Sequence, residues 1–327
     1  MNIDKLKENS DFLISSKYNI PCKRYISKLP SLMLSSWMDS LAVERLERKS
    51  NDINAHLKEF KNSWDEVFYI MLSRNFGFGT YSNQFELLAL SLPVKYILKH
   101  GDSLFQIEAL LYGQAGFLED DRLKSENDSE EVYYLSLKNE YAFLKKKYKL
   151  NCLNPSTFKD IRIRPASSPL IRISQLAALL HKWGRLFSKI IEKKKYDEIT
   201  SYFKIKPSEY WQTHYSFGKQ TVNSDKFISK TSLDILMINT VVPILFAYGK
   251  NIGSEVYCDR ALNILERMYP ERNSIVREFS DSGLVPKSAF HSQALIQLMK
   301  EYCDNRRCIE CRIGYKVITL YSNNNMQ

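Results

Sequence analysis

The sequence predicts a predominantly α-helical chain, an irregular multi-helix domain with no large sheet. Three observations lead there. Gly numbers 11 and Pro 10 of 327 residues, too few turn formers for many short strands. Apolar residues recur three and four apart through most of the chain, the spacing of one helix face. The 17 Phe, 20 Tyr and 4 Trp supply bulk for a core, and 44% hydrophobic with 26% charged residues excludes a disordered or collagenous chain.

The elements follow in order. Residues 1–19 read as a polar arm, and Ile20-Pro21-Cys22 begins the ordered region. Leu41, Leu46, Ile53, Leu57 and Phe60 give helical spacing. Ser63 is placed to cap a helix that opens on Trp64-Asp65-Glu66 and ends near Asn75-Phe76-Gly77, because its hydroxyl can accept a free backbone N–H. Ser82 or Asn83 starts another through Leu92, with Pro93 leaving open whether it continues to Leu98. Asp102 caps a fourth, which ends at Gly113 or Gly116. The segment 119–129 is a solvated acidic loop, and a helix follows over about 130–150. Pro155, Pro165 and Pro169 make 151–171 an extended loop. A helix over about 172–195 then carries an apolar stripe (Leu176, Leu179, Leu180, Trp183, Phe187) and a separate basic one. Further helices are expected at 196–203, 232–248, 255–268, 273–281 and 287–303. The apolar run Leu233 to Tyr248 contains Asp234, Asn239 and Pro243. It is short for a membrane span and reads as a buried, Pro-kinked helix. The domain is expected to cover 20–315, with a subdomain split near 151–170 as the alternative and a tail at 316–327.

The 47 basic and 37 acidic side chains give a net charge of +10. From Lys159 to Lys195 there are ten basic residues against Asp160 and Glu192, a net +8 in that stretch alone. Arg162, Arg164 and Arg172 flank a Pro-rich loop that enters a helix, and Lys182, Arg185 and Lys189 continue along it. Guanidinium groups match phosphate oxygens in a bidentate way, and a helix N-terminus offers free N–H groups to an anion. These six residues are the expected polyanion contacts. The bland reading is a solvated helix face, or pairing with the acidic segment 119–131.

Six Cys without an apolar signal core at Met1 to Ser16 point to reduced thiols in a cytoplasm. Cys303, Cys308 and Cys311 follow a Cys-x4-Cys-x2-Cys spacing. Three thiolates so close can ligate zinc or part of an iron–sulfur cluster, and the two-iron plant ferredoxins begin with that spacing. Cys22, Cys152 and Cys258 are the candidates for a fourth ligand; packed thiols or a redox pair are the competing readings. Glu108, Asp120, Asp121 and Glu271 could serve acid–base chemistry, but no spacing pairs them, and no residue is assigned a catalytic role.

Several phrases carry a resemblance. They include Arg74-Asn75-Phe76-Gly77, the run Gln106 to Gly116, Arg162-Ile163-Arg164-Pro165, Tyr210-Trp211, Ile238-Asn239-Thr240-Val241, and Ser292 to Leu298 with Tyr302-Cys303 and Cys311-Arg312-Ile313-Gly314. Together, over about 20–315, they resemble the bacterial family known as domain of unknown function 2851. The resemblance implies longer relatives with an N-terminal nuclease-like portion marked by Gly-Pro-Asp-Phe and Val-Glu-Ile-His. This chain has neither phrase, so it is expected to correspond to the helical C-terminal part. The expected function is a non-catalytic module that contacts nucleic acid or another polyanion, an accessory of a nuclease-like protein. The alternatives are a scaffold for an acidic protein partner, or a metal-dependent enzyme built on the cysteines. No membrane partner is expected.

Overall fold

The computed structural model describes residues 3–119, 128–158 and 167–321. Their fold is predominantly α-helical, and the described strands are one short hairpin, His214–Ser216 with Lys219–Gln220. The helices are α1 (Ile3–Ile14), α2 (Ser31–Glu59), α3 (Trp64–Phe76), α4 (Ser82–Ser91), α5 (Val94–Leu98), α6 (Leu104–Gln114), α7 (Asp128–Tyr148), α8 (Pro169–Trp183), α9 (Leu186–Glu192), α10 (Tyr196–Ser201), α11 (Glu209–Thr213), α12 (Lys230–Leu236), α13 (Val242–Ile252), α14 (Glu255–Arg267), α15 (Ser274–Ser280), α16 (Ala289–Gln297) and α17 (Arg312–Tyr321).

Two compact units divide the chain: 1–52 with 245–327, and 53–244. The boundaries fall inside α2 and α13. In the first unit the expected polar arm is a helix instead. Leu13 of α1 is fully buried, and Asn9 donates to the Ile318 carbonyl of α17 at 3.3 Å. The apolar side of that short helix is what the charged composition concealed. The expected tail is likewise helical as far as residue 321.

In the second unit α3 pairs with α4, and α6 packs between α7 and α8. Ser63 caps α3 as expected, its hydroxyl accepting from the Glu66 N–H. For α6 the cap is Ser103 rather than Asp102; its extended backbone lets the hydroxyl accept from the Gln106 N–H. Of the two expected stops, Gly116 follows the end of α6 with φ +83°, whereas Gly113 does not end it. It lies within the helix, where a Cβ would stand 2.0 Å from Cγ of Tyr141. Bare backbone is therefore what lets α7 approach. Leu92 and Pro93 separate α4 from α5, because proline cannot donate the N–H that a continuing helix needs.

Helix α12 runs into α13 through a widened turn, Met237–Val241, of the i to i−5 kind. Pro243 explains it. Lacking an N–H, Pro243 leaves the Asn239 carbonyl without its usual helical donor. The side-chain amide of Asn75 donates to that carbonyl at 3.1 Å and to the Thr240 hydroxyl at 3.0 Å. So Arg74-Asn75-Phe76-Gly77 and Ile238-Asn239-Thr240-Val241, distant in sequence, are two halves of one repair. The stretch Lys230–Ile252 is long and apolar enough to span a membrane by length and composition, and 72% of its most apolar window is buried inside the protein.

Candidate functional sites: a basic helix break and a cysteine cluster

The single helix expected over 172–195 is broken at Gly184. Its φ of +52° takes the left-handed region that glycine tolerates and side chains resist. Helix α8 stops at Trp183 and α9 restarts at Leu186, where Phe187 stacks on Trp64 with ring centroids 5.4 Å apart. The break gathers cations. Lys182 and Arg185 are exposed and Lys189 is partly so. The ammonium groups of Lys182 and Lys189 lie 5.1 and 5.7 Å from the Trp183 ring centroid. The ring is held in place, its indole N–H donating to the Tyr202 carbonyl at 2.7 Å. Lys194 and Lys195 follow, both exposed. Among the described residues none of Lys182, Lys189, Lys194 or Lys195 forms an ion pair within 4.0 Å. Arg185 opposes the effect of burial on Asp65, whose carboxyl is raised above its ordinary value chiefly by desolvation.

Arg172 does not join them. It sits ten residues, about 15 Å of helix, before Lys182. Its guanidinium lies over the Phe78 ring at 4.3 Å and donates to Oε1 of Gln175 at 2.9 Å. Burial lowers its pKa from 12.5 to about 10. Arg172 is thus engaged by Phe78 and Gln175 at the start of α8, apart from the lysines with which the sequence grouped it. Arg162, Arg164 and Asp120 and Asp121 of the acidic segment lie outside the described residues.

The cysteines divide into two sets. Cys303, Cys308 and Cys311 are all buried in the first unit, and Cys22 joins them from far along the chain. Burial raises the pKa of each, and the charges of the neighbouring cysteines add to the effect for Cys22, Cys303 and Cys308. Cys152 belongs elsewhere, against Lys145 and Glu119 at 3.4 and 3.3 Å. Cys258 directs its thiol at the Phe246 carbonyl, 3.6 Å away. Among the described residues no three His, Cys, Asp or Glu side chains close on a point as a single metal ion requires.

The structure also pairs groups that spacing could not. Glu108, 1% exposed, accepts from the hydroxyls of Ser174 and Tyr133, both at 2.8 Å. Desolvation raises its pKa from 4.5 to about 7 against those hydrogen bonds. Tyr210 stacks on Tyr133 at 4.0 Å and on His214 at 3.9 Å beside it. The carboxyl is sealed from solvent, which makes it a polar staple between α6, α7 and α8. Glu271 pairs with Gln293, which in turn accepts from Arg45 at 2.7 Å, and Gln297 donates to Glu44 at 3.0 Å. These amides bind α16 to α2 in the first unit. The same unit bears an open apolar groove of about 420 Å³ lined by Leu32, Met38, Leu284, Val285, Pro286 and His291.

A family model described as "Protein of unknown function (DUF2851)" matches residues 2–274, and the chain belongs to that family. Neither a curated protein nor a solved structure matches it. The matched span contains Cys22, Glu108 and the α8–α9 break, whereas Cys303, Cys308 and Cys311 lie beyond it.

Proposed function

We propose that this member of the DUF2851 family is a non-catalytic binding module that contacts nucleic acid through the basic surface at the α8–α9 break. The observation that carries the reading is the fixed Trp183 ring with Lys182 and Lys189 against it. Arg185 is exposed in the same turn. Proteins that hold single strands combine cations that track the phosphates with an aromatic platform for bases. A purely solvated lysine face would need no aromatic ring anchored among the cations. The sealed state of Glu108 gives it a structural role and not an acid–base one on a bound molecule.

The test is fluorescence anisotropy of a labelled single-stranded oligonucleotide in low salt. The chain binds, and Lys182→Gln with Arg185→Gln and Lys189→Gln together weakens binding at least tenfold. Arg172→Gln leaves it within twofold, because that guanidinium is spent on Phe78 and Gln175. No binding by the unaltered chain, or equal binding by the triple variant, overturns the reading. Capture of an acidic protein that survives nuclease treatment, in place of nucleic-acid binding, would assign the surface to a scaffold.

A further inference from the structure

We propose that Cys22, Cys303, Cys308 and Cys311 are the four ligands of an iron–sulfur cluster. The sequence supplies three of them in a Cys-x4-Cys-x2-Cys run, the opening spacing of plant-type two-iron sites, and leaves the fourth open. The fold supplies it. Cys22 is brought to the run from more than 280 positions away, and each of the four is at most 7% exposed. The joining contact is specific. Arg306, between Cys303 and Cys308, donates its guanidinium to the Tyr18 carbonyl at 2.8 Å, tying the cysteine loop to the segment that carries Cys22.

Donors face the sulfurs as a thiolate site requires. The backbone N–H groups of Ile313 and Gly314, at the start of α17, approach the Cys311 sulfur. A helix N-terminus favours negative charge there. The indole N–H of Trp37 is also directed at that sulfur and has no partner of good hydrogen-bond geometry, although Trp37 is only 7% exposed. An unsatisfied buried donor is costly unless an acceptor forms beside it. A thiolate held by metal is such an acceptor. Gly314 completes the closure: a Cβ on it would stand 2.2 Å from the Cys308 carbonyl.

The four-cysteine donor set and its Cys-x4-Cys-x2-Cys run favour a cluster over a lone ion. A tetrahedral zinc holds its sulfurs about 2.3 Å from the metal, hence within about 4 Å of one another. No three of these side chains close on one ion in that way. Each of Cys22, Cys308 and Cys311 nevertheless acts on Cys303 through its charge. A cluster, with bridging sulfides and more than one iron, does not require all four thiols to meet at one ion. For the two-iron form, two ferric ions and two sulfides join four thiolates; four S–H protons are released and no electron is transferred.

The test uses the full chain, isolated without oxygen and also reconstituted with ferric iron, lithium sulfide and excess thiol. Iron and acid-labile sulfide in equal amounts, with visible charge-transfer absorbance, support the assignment. Cys22→Ser and Cys311→Ser each lose at least four-fifths of that absorbance. Cys152→Ser and Cys258→Ser retain it, since neither thiol belongs to the set. Circular dichroism confirms that the variants fold; the iron content of the unaltered chain decides independently of them. Zinc alone, no metal after reconstitution, or full cluster in Cys22→Ser overturns the proposal.

Discussion

Replacing Glu108 by Gln removes a titration that ties the stability of the second unit to pH. The carboxyl of Glu108 is 1% exposed, and burial raises it from 4.5 to about 7 despite hydrogen bonds from Ser174 and Tyr133. The folded chain therefore keeps a proton between these two values that the unfolded chain releases. The stabilising contribution is complete below pH 4.5, shrinks as pH rises, and is gone above about 7. Each pH unit of difference is worth 1.36 kcal/mol, so the loss is about 3 kcal/mol across the window. The phenols beside the carboxyl, Tyr112 and Tyr133, are both raised further by burial and stay neutral throughout this range. Glu108→Gln keeps the shape and an acceptor oxygen but cannot ionise. Urea unfolding at intervals from pH 4 to 8 compares the two chains. The variant loses about 3 kcal/mol less unfolding free energy than the unaltered chain over that range, seen as a smaller fall in the urea midpoint. Parallel profiles would show that Glu108 is solvated or paired in a way that contradicts its placement.

Three further outcomes follow from packing and backbone. Asn75→Ala removes the amide that donates to the Asn239 carbonyl and the Thr240 hydroxyl, and thermal unfolding registers a loss of about 1–3 kcal/mol; Asn75→Asp, with no amide donor, fares no better. Gly113→Ala drives a methyl into the Tyr141 ring, which its hydroxyl bond to Gln114 at 3.0 Å holds in place, so chemical denaturation shows a cost of about 1–3 kcal/mol or more. Gly184→Ala meets no atom within 4 Å and costs only the backbone strain of a positive-φ conformation that side chains resist, about 1–3 kcal/mol; a larger loss would mean that the α8–α9 break is held by contacts.

The helical class was legible because it rests on local signals: few turn formers, three-and-four apolar spacing, and caps such as Ser63. Helix α3 is the clear case, since its cap, its acidic first turn and its glycine stop all lie within one short stretch. The break at Gly184 was less legible. The stripes of α8 and α9 stay in register across it, and only the backbone reveals the left turn. Gly113 misled for the opposite reason, being a close-approach glycine within a helix where a terminal one reads the same in sequence. Helix α1 was hidden by charge, because its burial depends on α17 from the other end of the chain. The basic residues were visible as a count. That Arg172 is turned inward onto Phe78 could not be, since the two are brought together only by the fold. The same holds for Glu108 with Ser174 and for Cys22 with its three partners: spacing names the chemistry, while pairing over long separations belongs to tertiary structure.

The basic surface is tested most directly by the salt dependence of binding. Each phosphate contact to a single strand contributes about 0.7 to the slope of log affinity against log salt. With Lys182, Arg185 and Lys189 engaged, the slope of the unaltered chain is steeper than that of the triple Gln variant by about 2. Equal slopes for the two chains, or affinity indifferent to salt, would contradict the account.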